Sequence, residues 1–152
     1  MSERDRFTTE EWRTLQFAPF WVFSAVIGAY RRFDHRDYGA FARSVDAAAA
    51  TTEGRLGREV LASVVAERDR LAAAYGVDDR SIGVGLGHVA AILRKVADDD
   101  EAEPFKRMLI AEVGEAVARA RGRFGTEMSK EDANALTLAA QLLFYDFEAA
   151  ED

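Results

Sequence analysis

The stretch from Phe17 to Tyr30 constrains the fold of this chain more than any other feature of its sequence. It has 14 residues, nearly all apolar, with Ser24 and Gly28 inside it. A helix that crosses a membrane needs about 20 consecutive apolar residues, so this stretch predicts a buried core helix instead. Because such a helix has almost no polar face, we expect it to begin at Pro19 and to lie in the middle of a helical bundle.

The rest of the chain also has a helical pattern. Apolar residues recur with a period of about 3.6 almost everywhere, and the alternation typical of strands is nearly absent. The pattern predicts an all-α fold, a single-domain bundle of about seven helices over residues 1–152. Thr8, with Glu11 as its capping-box partner, is expected to cap the first helix, and Gly76 to end the fourth. The expected helices run from Thr8 or Thr9 to about Phe17, from Pro19 to Tyr30, from Asp34 to the Ala47–Ala50 run, from about Arg55 to Tyr75, from Asp79 or Ser81 through Val96, from Pro104 through Val117, and from Ser129 through Phe147.

Two segments, Phe33–Phe41 and Met128–Leu136, repeat one pattern 95 residues apart. Each has an apolar residue, a helix N-cap residue (Asp34 or Ser129), an aspartate three residues later, and then alanine and a large apolar residue. Each follows a long apolar helix and opens another. Because internal self-similarity reports architecture, we expect two pseudo-repeated helix-loop-helix halves whose junctions superpose, with the longer loop before Ser129.

Composition narrows the classes of function. The net charge of −7 disfavours nonspecific binding to nucleic acid, which needs a basic surface. The absence of cysteine excludes disulfides and thiolate metal sites. The charged N-terminus is not followed by a signal-peptide pattern. We therefore expect a cytoplasmic protein without a transmembrane segment, and the excess of arginine over lysine, with abundant alanine, suggests a bacterial source.

Residues that often mark ligand sites have simpler explanations here. Gly83, Gly85 and Gly87 lack the preceding strand that a nucleotide-binding loop needs, so close helix packing or a frayed first turn is the better interpretation. Neither His35 nor His88 has another histidine or a cysteine at metal-ligand spacing. Serine, lysine and histidine form no nucleophile–base arrangement, so the sequence predicts no catalytic residue and no cofactor.

Acidic residues cluster at predicted helix starts. The run over 98–103 precedes the sixth helix, where negative charge is stabilising, so a solvated, helix-stabilising role is favoured over cation binding. The pairs Asp34 with Asp37 and Glu131 with Asp132 are explained in the same way by capping.

Aromatic residues are unusually numerous for one bundle. Core packing accounts for most of them, and the alternative is a hydrophobic pocket or partner groove between the central helix and the last helix. The residues concerned are Phe17, Phe20, Trp21, Phe23, Tyr30, Phe144, Tyr145 and Phe147.

The sequence resembles the TerB-like (tellurite-resistance B) family. That family has a Glu-Glu-Trp-x-x-Leu-like opening, an Ala-Pro break, a long apolar helix and an acidic junction that recurs near the C-terminus. The matching segments are Phe7–Pro19, Val22–Phe23, Val26–Ala29, Phe33–Asp37 and Ser129–Asp132. The resemblance covers the first 45 or so residues best and the last 30 or so less well. It implies a compact helical bundle with two similar halves and a role in bacterial stress or tellurite-resistance systems, without known enzymatic activity.

The resemblance also implies a candidate site for a divalent metal ion. Some family members are thought to hold a divalent cation through the acidic junctions, and the matching residues here are Asp34 and Asp37. In place of the family's Ala-Asp-Gly this chain has Ala29-Tyr30-Arg31, followed by Arg32, so one acidic ligand is lost and two positive charges adjoin the site. Because hard cations need several clustered oxygen ligands, we expect this degenerate site to stay empty.

The leading hypothesis is therefore a non-catalytic interaction module that acts through an unknown protein partner or as a homodimer. A second hypothesis is a divalent-metal-binding stress module that uses the acidic junctions. A third is a small-molecule-binding protein or enzyme with a hydrophobic pocket between helices.

Overall fold

A computed structural model of the protein describes residues 2–28, 33–122 and 127–145. Of these residues 84% are helical and none is in a strand, which confirms the predicted all-α bundle. A short 3-10 turn at Glu3–Arg6 precedes seven helices in this part of the chain. They are α1 (Thr9–Ile27), α2 (His35–Thr51), α3 (Arg55–Ala66), α4 (Arg68–Val77), α5 (Ile82–Val96), α6 (99–121) and α7 (Lys130–Leu143).

Helix α1 is continuous, so the predicted end at Phe17 and new start at Pro19 are wrong. Thr8 caps it as expected: its Oγ1 accepts the backbone N–H of Glu11, whose carboxylate accepts the N–H of Thr8. Pro19 removes one helical hydrogen bond, but residues 14–24 are all buried. α1 contacts each of the other six described helices. Burial on every side holds the helix together across the proline, at the centre of the bundle as predicted.

The aromatic side chains of α1 belong to the core. Phe20 lies 4.3 Å from Phe41 and 5.0 Å from Tyr75 between ring centroids. The hydroxyl groups of Tyr75 and Ser24 are 2.7 Å apart, so each of these two buried hydroxyls has the other as a hydrogen-bond partner. The predicted core role is confirmed for the four that are at most 1% exposed, which are Phe17, Phe20, Trp21 and Phe23.

The aromatic residues at the end of α7 add less to this core than the sequence predicts. Phe144 is 67% exposed, and Tyr145 is half-buried. Tyr30 and Phe147 lie outside the described residues. The groove described below lies beside α2 and α6, and the alternative of a pocket between the central and last helices stays a prediction.

The predicted fourth helix, Arg55 to Tyr75, is two helices. Glu67 leaves the helical region with φ −115° and ψ 21°, which separates α3 from α4. Apolar periodicity continues on both sides of this residue, so the pattern could not show the break. α4 then continues through Gly76 to Val77, which makes the predicted C-cap at Gly76 wrong.

Helix α6 begins earlier than predicted. Asp98 Oδ1 accepts the N–H of Glu101 at 3.1 Å, so the helix starts at Asp99 rather than near Pro104. Three acidic residues in the first turn face the positive end of the helix dipole. The predicted helix-stabilising role of the acidic run is confirmed, and the Asp98 cap explains why the helix begins before the proline.

The middle of α6 is π-helical. The α-helical segment Asp99–Arg107 passes into π-helical Met108–Glu115 and then α-helical Ala116–Arg121. A Cβ at Gly114 would come within 2.3 Å of Leu136 Cδ2, so glycine allows this segment to approach α7 closely. The wide segment therefore lies tightly against its neighbours.

An ion network fastens the N-terminal turn to α3 and α6. Arg6 pairs with Glu3 at 2.7 Å and also with Glu101, and Arg55 lies 3.3 Å from Glu3. The hydrogen bond from Arg6 holds the pKa of the Glu101 carboxyl below its ordinary value. The pairs Arg6–Glu101 and Arg55–Glu3 join residues that are far apart in the sequence.

Candidate functional site

An open groove lies between the end of α1, one face of α2 and the last turns of α6. Its volume is about 810 Å³, within the range of about 300–1,000 Å³ that is typical of ligand sites. Phe23 and Ile27 contribute from α1, Ala40 and Ala47 from α2, and Val117 from α6. The floor of the groove is therefore apolar.

The two walls, α2 and α6, run antiparallel. Thr51 Oγ1 at the end of α2 donates to Glu112 Oε1 at 3.4 Å. One turn along, Ala47 and Ala116 face the same groove, and Arg121 shares it with the first turn of α2. Residue numbers thus rise along one wall as they fall along the other.

Small side chains keep both walls low. Ala40 and Ala47 are seven residues apart on α2, and Ala116 and Ala120 are four apart on α6, so each pair shares a face of its helix. Lining residues 36–47 of α2 span about 16 Å at about 1.5 Å per residue. Helices pack at axial distances of about 8–10 Å, the shorter ones where side chains are small. The groove has the length and the low walls that a third helix needs.

Both residues of the predicted metal site, Asp34 and Asp37, line the groove at the start of α2. Asp34 Oδ1 accepts the N–H of Asp37 at 2.7 Å, and Asp37 Oδ2 accepts the N–H of Asp34 at 3.4 Å. This is a reciprocal capping box, in which two helix N–H groups find acceptors. The predicted N-cap role of Asp34 is confirmed.

This pair of carboxylates does not fit a hard divalent cation. Calcium and magnesium take about six or more oxygen ligands, and one oxygen of each carboxylate already accepts a backbone N–H. The described ranges contain no group of three or more His, Cys, Asp or Glu residues that could hold a metal. Arg31 and Arg32, which adjoin the site in the sequence, lie outside the described residues. That the site stays empty remains a prediction.

Two arginines stand at the α2 rim of the groove. Arg36 and Arg43 both line it and both are exposed. They are seven residues apart, on the same face of α2 as Ala40 and Ala47, and about 10 Å apart along its axis. Neither forms an ion pair with a described residue. By contrast, Asp46 of α2 pairs with Arg68 of α4 at 3.1 Å. The rim guanidinium groups are available to a ligand.

The opposite wall ends at the second junction. Arg121 Nε lies 3.3 Å from Oδ2 of Asp132, which is 7% exposed. Ser129 Oγ accepts the N–H of Asp132 at 3.1 Å, which confirms the predicted N-cap. Asp132 therefore pairs with Arg121 of the preceding helix, whereas Asp37 accepts the backbone N–H of Asp34, the N-cap of its own helix. Superposition of the two junctions stays a prediction, and the loop over 123–126 lies outside the described residues.

A second cavity, of about 500 Å³, surrounds Arg80 between α1 and α5. The guanidinium group of Arg80 contacts Asp78 at 3.0 Å, Thr14 Oγ1 at 3.1 Å and His88 Nδ1 at 3.2 Å. It also lies 4.8 Å from the ring centroid of Trp21. The N–H donors and one face of the Arg80 guanidinium group are therefore already occupied. The cluster fastens the α4–α5 loop to the bundle.

A third cavity, of about 390 Å³, is lined by aromatic residues of the core and its edge, among them Phe33, Tyr38 and Tyr75. The hydroxyl of Tyr38 donates to Asp69. Burial, together with this hydrogen bond, raises the pKa of Tyr38. The cavity is continuous with the aromatic core and extends it to the surface.

Sequence reasoning found the carboxylates of the groove but missed its arginines and its second wall. A signal was present on α2, where Arg36, Ala40, Arg43 and Ala47 alternate at helical spacing along one face. The α6 wall gave no such signal, because the choice of the helix that packs beside α2 depends on tertiary contacts.

No protein-family model, no curated protein and no solved structure matches this chain. Among the described helices, none combines the length and the apolar character needed to cross a membrane.

Proposed function

We propose that this chain is a non-catalytic helical interaction module that binds a segment of a partner protein in the α1–α2–α6 groove. The groove itself carries the proposal. It is long enough for about three turns of helix, its floor is apolar, and alanines on both walls allow close approach. A docked helix would pack between α2 and α6 as the bundle's own helices pack on one another.

The resemblance to the TerB-like family supports a wider setting for this proposal. The opening segment of the resemblance, Phe7–Pro19, contains the N-cap and first turns of the central helix, and its two junction segments begin helices α2 and α7. We propose on this ground a bacterial, cytoplasmic stress-response protein that acts through its partner.

Fluorescence anisotropy with a labelled amphipathic peptide tests the proposal. The probe is a helix of about 18 residues, or five turns, with leucine and alanine on one face and glutamine elsewhere. Ala47→Trp fills the groove with an indole. Ala62→Trp places the same side chain on an exposed position of α3, away from the groove, and is the matched control.

Saturable binding that Ala47→Trp weakens and Ala62→Trp leaves unchanged is the expected result. If neither this peptide nor its counterpart with glutamates facing the arginine rim binds, or if the two variants behave alike while circular dichroism shows both to be folded, the groove is not a partner site.

A further inference from the structure

We infer that the groove selects an acidic amphipathic helix of a partner protein, with carboxylates seven residues apart that pair with Arg36 and Arg43. This inference rests on the proposed function and names the chemistry of the partner that fits it.

Charge on the groove rim supports an acidic partner. The chain has 27 acidic and 20 basic residues, so carboxylates for internal ion pairs are in excess. Arg36 and Arg43 nevertheless form no ion pair with a described residue, although they stand beside an apolar floor. A docked neutral helix would take water from these guanidinium groups without replacing it, which is unfavourable. Carboxylates on the docked helix would replace the lost water with charge-assisted hydrogen bonds.

The carboxylates at the end of the groove do not cancel this preference. Asp34 and Asp37 accept backbone N–H groups at the N-terminus of α2, and the positive end of that helix balances part of their charge. Arg121, on the facing wall, is balanced by Asp132. Among the arginines that line the groove, Arg36 and Arg43 are the two that form no ion pair with a residue the structure describes.

The spacing of these arginines fits a helix better than a small anion. Residues seven apart on any α-helix are about 10 Å apart along its axis and on nearly the same face. A helix lying along α2 can therefore present Glu or Asp at positions i and i+7 to both arginines at once. Its apolar side chains between them would lie over Ile27 and Val117. A single small anion would contact both guanidinium groups only if the two side chains bent toward each other, whereas a helix meets them at their backbone spacing.

The test compares three peptides that share one apolar face and about 18 residues, or five turns. They carry glutamate, glutamine or lysine at the two positions that face the rim. The double variant Arg36→Glu, Arg43→Glu reverses the rim charge. Arg58→Glu with Arg107→Glu is the control, because it changes the net charge equally at exposed arginines outside the groove.

The glutamate peptide is expected to bind about tenfold more tightly than the glutamine peptide, because two exposed ion pairs together contribute about this much. The lysine peptide should bind most weakly. The rim reversal should invert the order of glutamate and lysine peptides, and the control pair should keep it. Raising the salt to about 1 M, where the Debye length is about 3 Å, should erase the preference.

Equal binding of the glutamate and glutamine peptides, or a control pair that inverts the order as well, overturns the acidic preference. If the peptides bind without charge preference and Ala47→Trp still blocks them, the inference fails and the proposed function stands. If none of the three binds, both fail.

Discussion

The indole ring of Trp21 lies directly against the backbone of Gly85. A Cβ built at position 85 would stand 2.2 Å from Cε2 of the ring, closer than any real methyl group can approach. Because Trp21 is 1% exposed and surrounded by core residues, the ring has nowhere to move. The central helix and α5 therefore pack at this point only because residue 85 has no side chain.

Gly85→Ala is expected to lower the free energy of unfolding by about 1–3 kcal/mol through overpacking. Gly87→Ala is the matched control on the same helix, because nothing lies within 4 Å of its added Cβ. It should raise the free energy by about 0.5–1 kcal/mol through helix propensity. Urea unfolding followed by circular dichroism measures both. Two variants that are stabilised alike would show that Trp21 does not need the glycine.

The three alternating glycines show how far sequence could predict packing. Their spacing indicates close helix packing or a frayed first turn, and close packing is confirmed for Gly85. Gly83 and Gly87 have no comparable contact. Periodicity places a residue on a face of a helix, but it does not say which neighbouring helix meets that face or how closely. The same limit explains why the interruption at Glu67 and the continuity of α1 through Pro19 were not foreseen.

The junction caps should each stabilise the bundle. Asp34→Ala and Ser129→Ala remove side chains that accept helix N–H groups, and each should cost about 1 kcal/mol. Asp34→Asn keeps an acceptor oxygen and should lower the free energy of unfolding by only about a few tenths of a kcal/mol. Thermal melting distinguishes them, and an alanine variant as stable as its asparagine counterpart would contradict the capping role.

Glu11 should make stability depend on pH. The backbone N–H of Thr8, and then the ammonium group of Lys95, hold the pKa of the Glu11 carboxyl below its ordinary value of 4.5. A lowered folded-state pKa means that the ionised carboxylate stabilises the fold above 4.5 and that this contribution is lost as the pH falls through the lowered value.

Glu11→Gln should therefore melt below wild type at neutral pH, and the gap should narrow in acid. Glu10→Gln corrects for the loss of one charge in the first turn of α1. A gap between Glu11→Gln and wild type that stays constant across the acid range would contradict the assignment.

Metal should leave the fold unaffected. Millimolar calcium, magnesium or EDTA is expected not to shift the melting temperature, because one oxygen of each carboxylate, Asp34 and Asp37, is engaged in the capping box and too few oxygens are left for a hard cation. A ligand at 100 times its dissociation constant would add about 2.7 kcal/mol, so binding would be visible. A stabilising shift that disappears in the double variant Asp34→Ala, Asp37→Ala would show a functional cation site.

The candidate site was predictable only in part. The acidic junction stood out because N-cap patterns are local in sequence, and both Asp34 and Ser129 cap helices as expected. The groove depends on α2 and α6, whose facing residues, such as Ala47 and Ala116, are 69 positions apart. Local patterns carry no information on that pairing, so the apolar floor and the arginine rim became visible only in the folded chain.

The most direct test of partner binding in the groove is an amide chemical-shift titration of the folded protein with the glutamate peptide. Saturable shifts concentrated in residues 36–47 of α2 and 116–121 of α6, and absent in the Ala47→Trp variant, are the expected result. Shifts that instead concentrate on α5 and α7, or no shifts at peptide excess, would contradict it.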